Sequence, residues 1–274
     1  MRITTVVENN TISREYKKKH GLCLYIKTKS HKILFDLGPD NTFIKNAEKL
    51  NIDIKDIDIL VISHGHKDHG GGLEAFLNYN NKAKIYMSKY AFEEYYASVF
   101  KFGKAYVGLN KNLKLNKRII FTDDFLNIGD EMMLISNVKG NVLSPKGNKS
   151  LLVKENEKYI LDDFKHEQHL VLKEDGKNIL ISGCSHTGIL NIIESVENVL
   201  EDNIHIVVGG LHLFNPINKK TEDISLINQL GKELSKMDLT IFTCHCTGKK
   251  AFKELEKIIG DRINSICTGE EIEV

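Results

Sequence analysis

Net charge is nearly absent from this chain: Lys and Arg number 38 against 37 Asp and Glu, which leaves +1 at pH 7. No global field exists to gather nucleic acid or an anionic membrane surface, so polyanion binding gains no support. Proline is scarce, with 3 residues, and 41% of the chain is apolar, which excludes collagen-like, mucin-like and disordered classes. Long apolar runs are lacking too. Stretches such as Ile59 to Ile62 fall far short of the ~18 residues that span a bilayer. The opening MRITTVVENN has no charged segment followed by an apolar one, so the expectation is a cytosolic protein. The five cysteines (Cys23, Cys184, Cys244, Cys246, Cys267) are odd in number and sparse for 274 residues; reduced thiols are expected, each mattering only as a ligand or reactive group.

What remains is an alternation of strand-like and helix-like runs with no linker between them, the pattern of a layered α/β domain spanning 1–274. Strands are expected near Ile3 to Glu8, Leu22 to Thr28, Lys32 to Asp36, Ile57 to Ile62 and Lys84 to Met87, with helices over Asn41 to Asn51 and Ala91 to Ala97. Residues 100–150 are the least regular, rich in Lys, Asn and Gly, and are expected to hold surface insertions or a lid, with strands at Arg118 to Thr122 and Met132 to Ser136. The second half repeats the rhythm of the first. A hairpin pairs His169 to Lys173 with Asn178 to Ser182; then come helix Gly188 to Leu200, strand His205 to Val208, helix Glu222 to Ser235, strand Leu239 to Phe242, helix Lys249 to Ile259 and a last strand near Asn264 to Cys267.

Directly after the apolar run ending at Ile62, the segment His64-Gly65-His66-Lys67-Asp68-His69 packs three imidazoles and a carboxylate into six positions. At a strand end, residues i and i+2 project to one side, so His64 and His66 can face one ion. The glycines 70–72 let the chain turn, and Asp68 with His69 can face a second ion a few ångströms away. A solvated surface turn is the plain alternative. Three imidazoles beside an apolar strand would then need several partners for their ring nitrogens, whereas a divalent cation uses their lone pairs at once. Four protein groups under-coordinate two ions, so further ligands are expected in the second half. The histidines at predicted strand ends are His186 in SGCSHTG, His212 in GGLHL and His245 in TCHCTG. His20, His31 and His205 lack such a setting and read as ordinary surface or core residues, while His166 and His169 stay open.

The segment HGHKDHGGGL resembles the HxHxDH motif of the metallo-β-lactamase fold superfamily, and Ile33-Leu34-Phe35-Asp36-Leu37-Gly38 is similar to that superfamily's early strand. The resemblance implies an αββα sandwich of two mixed sheets flanked by helices, with the metals in a groove at one edge. It implies that Asp36 holds the ligand loop without touching the ions. Where most relatives carry Gly-Asp, whose carboxylate bridges both ions, this chain has Gly183-Cys184. Cys184 is therefore either a thiolate ligand or a small buried filler, with His186 taking over coordination. The order GCSHTG, GGLHL, HCTG resembles a narrower branch around the archaeal 7,8-dihydropterin-6-methyl-4-(β-D-ribofuranosyl)-aminobenzene 5′-phosphate synthase. The interval from Cys184 makes His212 the expected sixth ligand, with His245 as runner-up and otherwise at the substrate.

The expected ligands are thus His64, His66, Asp68, His69, His186 and His212, around two divalent ions, zinc first, with manganese, iron(II) or magnesium compatible. Two ions sharing a water lower its pKa from ~15.7 toward ~7, which yields a hydroxide able to attack a phosphoester or ester, with Asp68 among the groups at the reaction and Lys67 or His245 steadying developing charge. The expected partner is a small anionic molecule; the oligomeric state is open. Two rivals stand beside this hydrolase. One, implied by the narrower branch, is a transferase joining a dihydropterin diphosphate to an aminobenzene ribofuranosyl phosphate with release of pyrophosphate. The other is an iron-dependent redox or sensing protein, against which stands the lack of a GxGxxG or P-loop fingerprint.

Overall fold

Alternation along each strand decides how the layers stack. In strand Lys32–Phe35, Ile33 and Phe35 face one way and Leu34 the other; in Ile59–Ile62, Ile59 and Val61 share the first direction and Leu60 and Ile62 the second. The computed structural model describes residues 1–99 and 103–274 and shows what each set meets. Ile33, Phe35, Ile59 and Val61 pack against Leu170, Leu172, Ile179 and Ile181 of the second half, forming the interior between two sheets. Leu34, Leu60 and Ile62 pack outward against Phe43 and Ala47 of helix Thr42–Lys49 and against Leu73 and Phe76 of helix Leu73–Tyr79. On the far side Val171, Leu180 and Val207 meet Ile189, Ile192, Ile193 and Val196 of helix Ile189–Leu200. The layers are helices, sheet, sheet, helices, the expected αββα sandwich. A one-residue slip in any of these strands would exchange its two buried faces, so register is tightly specified.

Each main sheet has seven strands. The first runs in the order Glu271–Glu273, Arg2–Val7, Cys23–Lys27, Lys32–Phe35, Ile59–Ile62, Lys84–Ser88, Ile119–Thr122. The second runs Ile263–Ser265, Thr240–Thr243, Ile206–Gly209, Lys177–Ser182, Gln168–Glu174, Met132–Ser136, Phe125–Ile128. Lys32–Phe35, Ile59–Ile62 and Lys84–Ser88 are parallel, as are Lys177–Ser182, Ile206–Gly209 and Thr240–Thr243. Their carboxyl ends therefore open on one edge of the sandwich, where ligands collect in α/β sheets.

One expectation is corrected. Residues 91–97 do not form a helix: Tyr95–Val99 is a strand of a separate four-stranded sheet ordered Lys158–Leu161, Leu151–Glu155, Tyr95–Val99, Gly103–Tyr106. Tyr96 meets Tyr106 and Tyr159 edge-on across neighbouring strands, and such aromatic cross-strand pairs favour the sheet over the helix. The 100–150 segment is divided: Gly103–Tyr106 is the edge strand of this cover sheet, whereas Ile119–Thr122, Phe125–Ile128 and Met132–Ser136 join the main sheets; residues 100–102 lie outside the described residues.

Candidate metal centre

Every strand that ends at the open edge delivers a polar side chain there. Asp36 follows Phe35, His64 follows Ile62-Ser63, Cys184 follows Ser182-Gly183, His212 follows Gly209-Gly210-Leu211, and His245 follows Thr243-Cys244. Asp36, His212 and His245 hold left-handed backbone at φ 62°, 48° and 50°, a conformation that costs a side-chain-bearing residue ~1–2 kcal/mol and persists where surroundings impose it. His66 opens the short helix Lys67–Gly70, which carries Asp68 and His69. A Cβ at Gly183 would run into Ser63 Oγ, so only glycine lets the two sheets' strand ends meet.

The hydrogen-bond network assigns the ring protons. Asp36 is fully buried and accepts from Ser63 N (2.7 Å), Ser63 Oγ (2.7 Å) and His69 Nδ1 (2.6 Å). Ser63 Oγ, its hydrogen given to Asp36, accepts from His64 Nδ1 at 2.8 Å. His186 Nδ1 donates to Asn148 Oδ1 at 3.1 Å, and Asn148 Nδ2 donates back to the His186 carbonyl at 2.7 Å. His64 Nε2 and His186 Nε2 are left buried with no hydrogen-bond partner. Ring nitrogens of His64, His66 and His186 lie within 4.8 Å of one another. Burial first, and the neighbouring imidazoles second, hold His64 and His186 well below the usual histidine range; burial also lowers His66. Three neutral imidazoles with converging lone pairs fit a divalent cation, since nothing else there satisfies them.

Asp68, His69 and His245 form a second cluster. His245 Nε2 is 3.3 Å from His69 Nε2 and 3.3 Å from Asp68 Oδ2, and His69 Nε2 is 3.8 Å from Asp68 Oδ2. His69 has given its Nδ1 hydrogen to Asp36, and His245 gives its own to Asn9 Oδ1 at 3.0 Å. Two Nε2 lone pairs then face each other, which only a cation between or beside them can stabilise. Without a metal that cation is a proton: burial opposes it, but the carboxylates of Asp36 and Asp68 prevail and push His69 up to about 9. Asp68 is pulled well below the usual carboxylate range, its burial outweighed by His69, His245 and His20.

His212, expected as the sixth ligand, has its ring centroid 4.2 Å from that of His186 and its Nδ1 buried with no hydrogen-bond partner; it groups with His186 and Cys184, while His245 lies beside Asp68 and His69. Cys184 Sγ lies 3.2 Å from His69 Nε2. Burial pushes the Cys184 thiol up; in its neighbour Cys246, burial is outweighed by contact with Cys184 and His212, and the thiol is pulled well below its ordinary range. Lys67 is exposed at the mouth of the site.

Several site residues escaped sequence reasoning. His20, read as an ordinary histidine, sits with Nε2 3.4 Å from Asp68 Oδ2 and its ring 4.7 Å from that of His245; burial and His245 lower it to about 4. Buried Glu8 accepts the His245 N–H at 2.7 Å. His166 has both ring nitrogens engaged, accepting from Gly65 N at 2.9 Å and facing Asp162 Oδ2 at 3.0 Å, so it braces the ligand loop. His169 Nδ1 meets Ser182 Oγ at 3.0 Å, and its Nε2 is buried with no hydrogen-bond partner. Nothing local in the sequence marks Glu8, Asn9 or Asn148.

Both clusters open on a cavity of about 310 Å³. Its remaining wall is largely apolar, from Pro39, Ala97, Val107, Leu151, Pro216 and Ile217, with Ala97 and Leu151 supplied by the four-stranded cover.

Residues 17–140 match a family model described as the metallo-beta-lactamase superfamily. The solved structure of Tm1679, titled a metal-dependent hydrolase of the beta-lactamase superfamily, is 30% identical, covers 100% of this chain and 99% of its own, and superposes with a TM-score of 0.83. The chain belongs to the metallo-β-lactamase superfamily. Within it, a Methanocaldococcus jannaschii protein named 7,8-dihydropterin-6-methyl-4-(beta-D-ribofuranosyl)-aminobenzene-5'-phosphate synthase is 29% identical over 249 residues, 85% of this chain and 82% of that one. An uncharacterized protein of the same organism is 27% identical over 257 residues, 92% and 93% of the two chains.

Proposed function

We propose that this protein is a metal-dependent hydrolase of compact ester or phosphoester substrates, with one ion held by His64, His66 and His186 and a second by Asp68, His69 and His245. The observation that carries the reading is the pair of donor clusters, one with three buried ring nitrogens that have no hydrogen-bond partner and one in which two Nε2 atoms face each other beside Asp68, opening on one cavity of about 310 Å³. Bound divalent ions lower the pKa of water and polarise a substrate oxygen. The chain's own residues do the rest. Asp36, Asn9 and Asn148 fix which ring nitrogen of His69, His245 and His186 faces the centre. Lys67 at the mouth and His212 beside His186 are placed to meet the substrate's negative charge. The apolar wall favours a small apolar group on the substrate, and 310 Å³ lies at the small end for ligand pockets. The ions this reading names are zinc first, and its partner is a small molecule.

Similarity to the M. jannaschii synthase favours a second reading, in which the site joins a dihydropterin diphosphate to an aromatic amine. A departing diphosphate needs several cationic groups, yet among the described residues lining the cavity Lys67 is the lone lysine and no arginine is present. That balance supports hydrolysis. The test loads metal-stripped protein with zinc, offers chromogenic phosphodiesters, phosphomonoesters and carboxylic esters, and in parallel offers a dihydropterin diphosphate with an aromatic amine. Metal-dependent ester cleavage abolished by His66→Ala is expected. Cleavage by metal-free protein, or pyrophosphate release only when both transferase substrates are present, overturns the reading.

A further inference from the structure

Asp162 follows Lys158–Leu161, an edge strand of the cover whose four residues are all exposed, yet its own side chain is 1% exposed. A carboxylate is seldom buried without partners, and these show what holds it there. Its backbone N–H donates to the Leu151 carbonyl at 3.1 Å, inside the cover, and its Oδ1 accepts the Phe164 N–H at 2.9 Å. Its Oδ2 turns to the metal centre, 3.0 Å from His166 Nε2 and 3.8 Å from His66 Nε2. The first of these is a directed bond: His166 Nδ1 accepts from Gly65 N, so the ring carries its hydrogen on Nε2 and gives it to Asp162. The second is longer than a hydrogen bond and acts through charge. Phe164 reaches the same cluster from the other end of the turn. Its ring stacks on that of His186, 4.4 Å between centroids and 7° between planes, and its backbone holds φ 56°, which a side-chain-bearing residue keeps only where its surroundings impose it. Two imidazoles of the first cluster, His66 and His186, are thus met by one turn of the cover. The second cluster is supported otherwise, by Asp36 and Asn9, which follow strands of the first sheet.

We propose that Asp162 is a positioning residue for the first ion alone, tying the cover, and the cavity wall it carries, to the cluster of His64, His66 and His186. Those imidazoles are neutral and bring no charge of their own, so the carboxylate against His66 supplies negative charge of the kind a buried cation calls for. An imidazole that binds a cation carries positive charge on its remaining N–H, which strengthens its pull on a carboxylate. Cation and carboxylate therefore favour each other through the His66 ring. Such coupling is reciprocal, so an ion at this cluster also steadies the strand that Asp162 ends. Ala97 and Leu151 of the same sheet face the cavity, and occupancy of the first site thereby orders the wall that meets the substrate. The proposal rests on the two-ion reading above and adds to it which of the two ions the cover answers to.

Single-cluster variants of the full chain separate the ions: His245→Ala keeps the first cluster and His186→Ala the second, and each is expected to bind one zinc by elemental analysis. Zinc should slow amide deuterium uptake across residues 151–161 in the unaltered chain and in His245→Ala, and leave it unchanged in His186→Ala. Adding Asp162→Asn to His245→Ala is expected to weaken zinc binding roughly 10–100-fold by chelator competition and to abolish the zinc-dependent slowing. A residue that merely braced the cover would raise uptake equally with and without zinc. Adding Asp162→Asn to His186→Ala leaves zinc affinity as it was. Equal losses of affinity in the two backgrounds, an unaltered affinity in the first, or a cover whose uptake ignores zinc in His245→Ala or responds to it in His186→Ala overturns the proposal; the uptake comparison holds even where Asp162→Asn does not fold. No zinc on His186→Ala overturns the two-ion reading and leaves the Asp162 comparison intact in His245→Ala. No zinc on His245→Ala overturns both.

Discussion

Replacing Asp36 by Asn tests how far one buried carboxylate organises the site. Asp36 accepts three hydrogen bonds at 2.6–2.7 Å, from Ser63 N, Ser63 Oγ and His69 Nδ1, and is 0% exposed. Asn keeps the shape but turns an NH2 toward one of those donors and removes the charge; breaking a buried pair of this kind costs roughly 3–5 kcal/mol. Part of the loss depends on pH. In the metal-free protein Asp36, together with Asp68, raises His69 from 6.5 to about 9 against the opposing effect of burial. A group raised on folding stabilises fully below its unfolded value and loses that contribution as pH climbs through its folded value. At 1.36 kcal/mol per unit the shift is worth roughly 3 kcal/mol, and Asp36 is the largest of its favourable causes. Denaturant unfolding of metal-stripped protein should therefore show the widest gap between the native chain and Asp36→Asn near pH 6, shrinking by roughly 2–3 kcal/mol by pH 10. A gap that stays constant, or widens with pH, refutes the charge-based account of His69 and leaves Asp36 as a mere packing element.

Other perturbations probe separate parts of the site. His66→Ala removes a member of the first cluster and is expected to lower zinc content and abolish turnover, read by elemental analysis and ester cleavage. Asn148→Ala frees the His186 ring to place its proton on the metal-facing nitrogen; zinc affinity by chelator competition should fall roughly 10–100-fold with little change in fold. Saturating zinc at about 100 times its Kd should stabilise the protein by about 2.7 kcal/mol, visible as a rise of several degrees in Tm that chelation reverses. Ala97→Phe fills part of the apolar wall, so kcat/KM for substrates with a ring-sized group should drop while metal content stays unchanged.

How much of this was legible follows from distance along the chain. The cluster His64 to His69 is written in six consecutive positions, and its placement after a buried strand needs only the strand's periodicity. The two-sheet layering came from the resemblance carried by HGHKDHGGGL and the early strand; the alternation that sets Leu34 and Leu60 opposite to Ile33 and Ile59 shows how each strand fills those layers. Which of His212 and His245 stands beside Asp68 was not legible, because both follow strand ends beside glycine or cysteine. It is decided by a contact across almost the whole chain, where Glu8 takes the His245 N–H and Asn9 takes its Nδ1–H, and swings that ring onto Asp68. Asn148 was hidden for the opposite reason: its segment has no periodic signal, and its role appears only once the chain beside the cover lies against His186. The strand at Tyr95–Val99 was misread as helix because its stabilising partners, Tyr106 and Tyr159, come from other strands.

The centre and the fold are bound to one another more tightly than catalysis alone requires. Gln168, at the start of a second-sheet strand, donates its side-chain N–H groups to the carbonyls of Ile62, the last residue of one first-sheet strand, and Tyr86, in the middle of the next, and its own backbone N–H to the Ser63 carbonyl. Glu8 ties the first sheet to the His245 turn of the second. These bonds clamp the sandwich at the edge where Asp36, His212 and His245 hold strained backbone and where His64 and His186 leave buried nitrogens unpaired. Each unpaired buried group costs roughly 1–3 kcal/mol until something satisfies it. A cation shared by both sheets removes that cost on both sides at once, so metal binding and the closure of the sandwich favour each other. Loss of metal should then loosen this edge first, leaving the apolar interior between the sheets, around Phe35, Val61, Leu170 and Ile181, to hold them together.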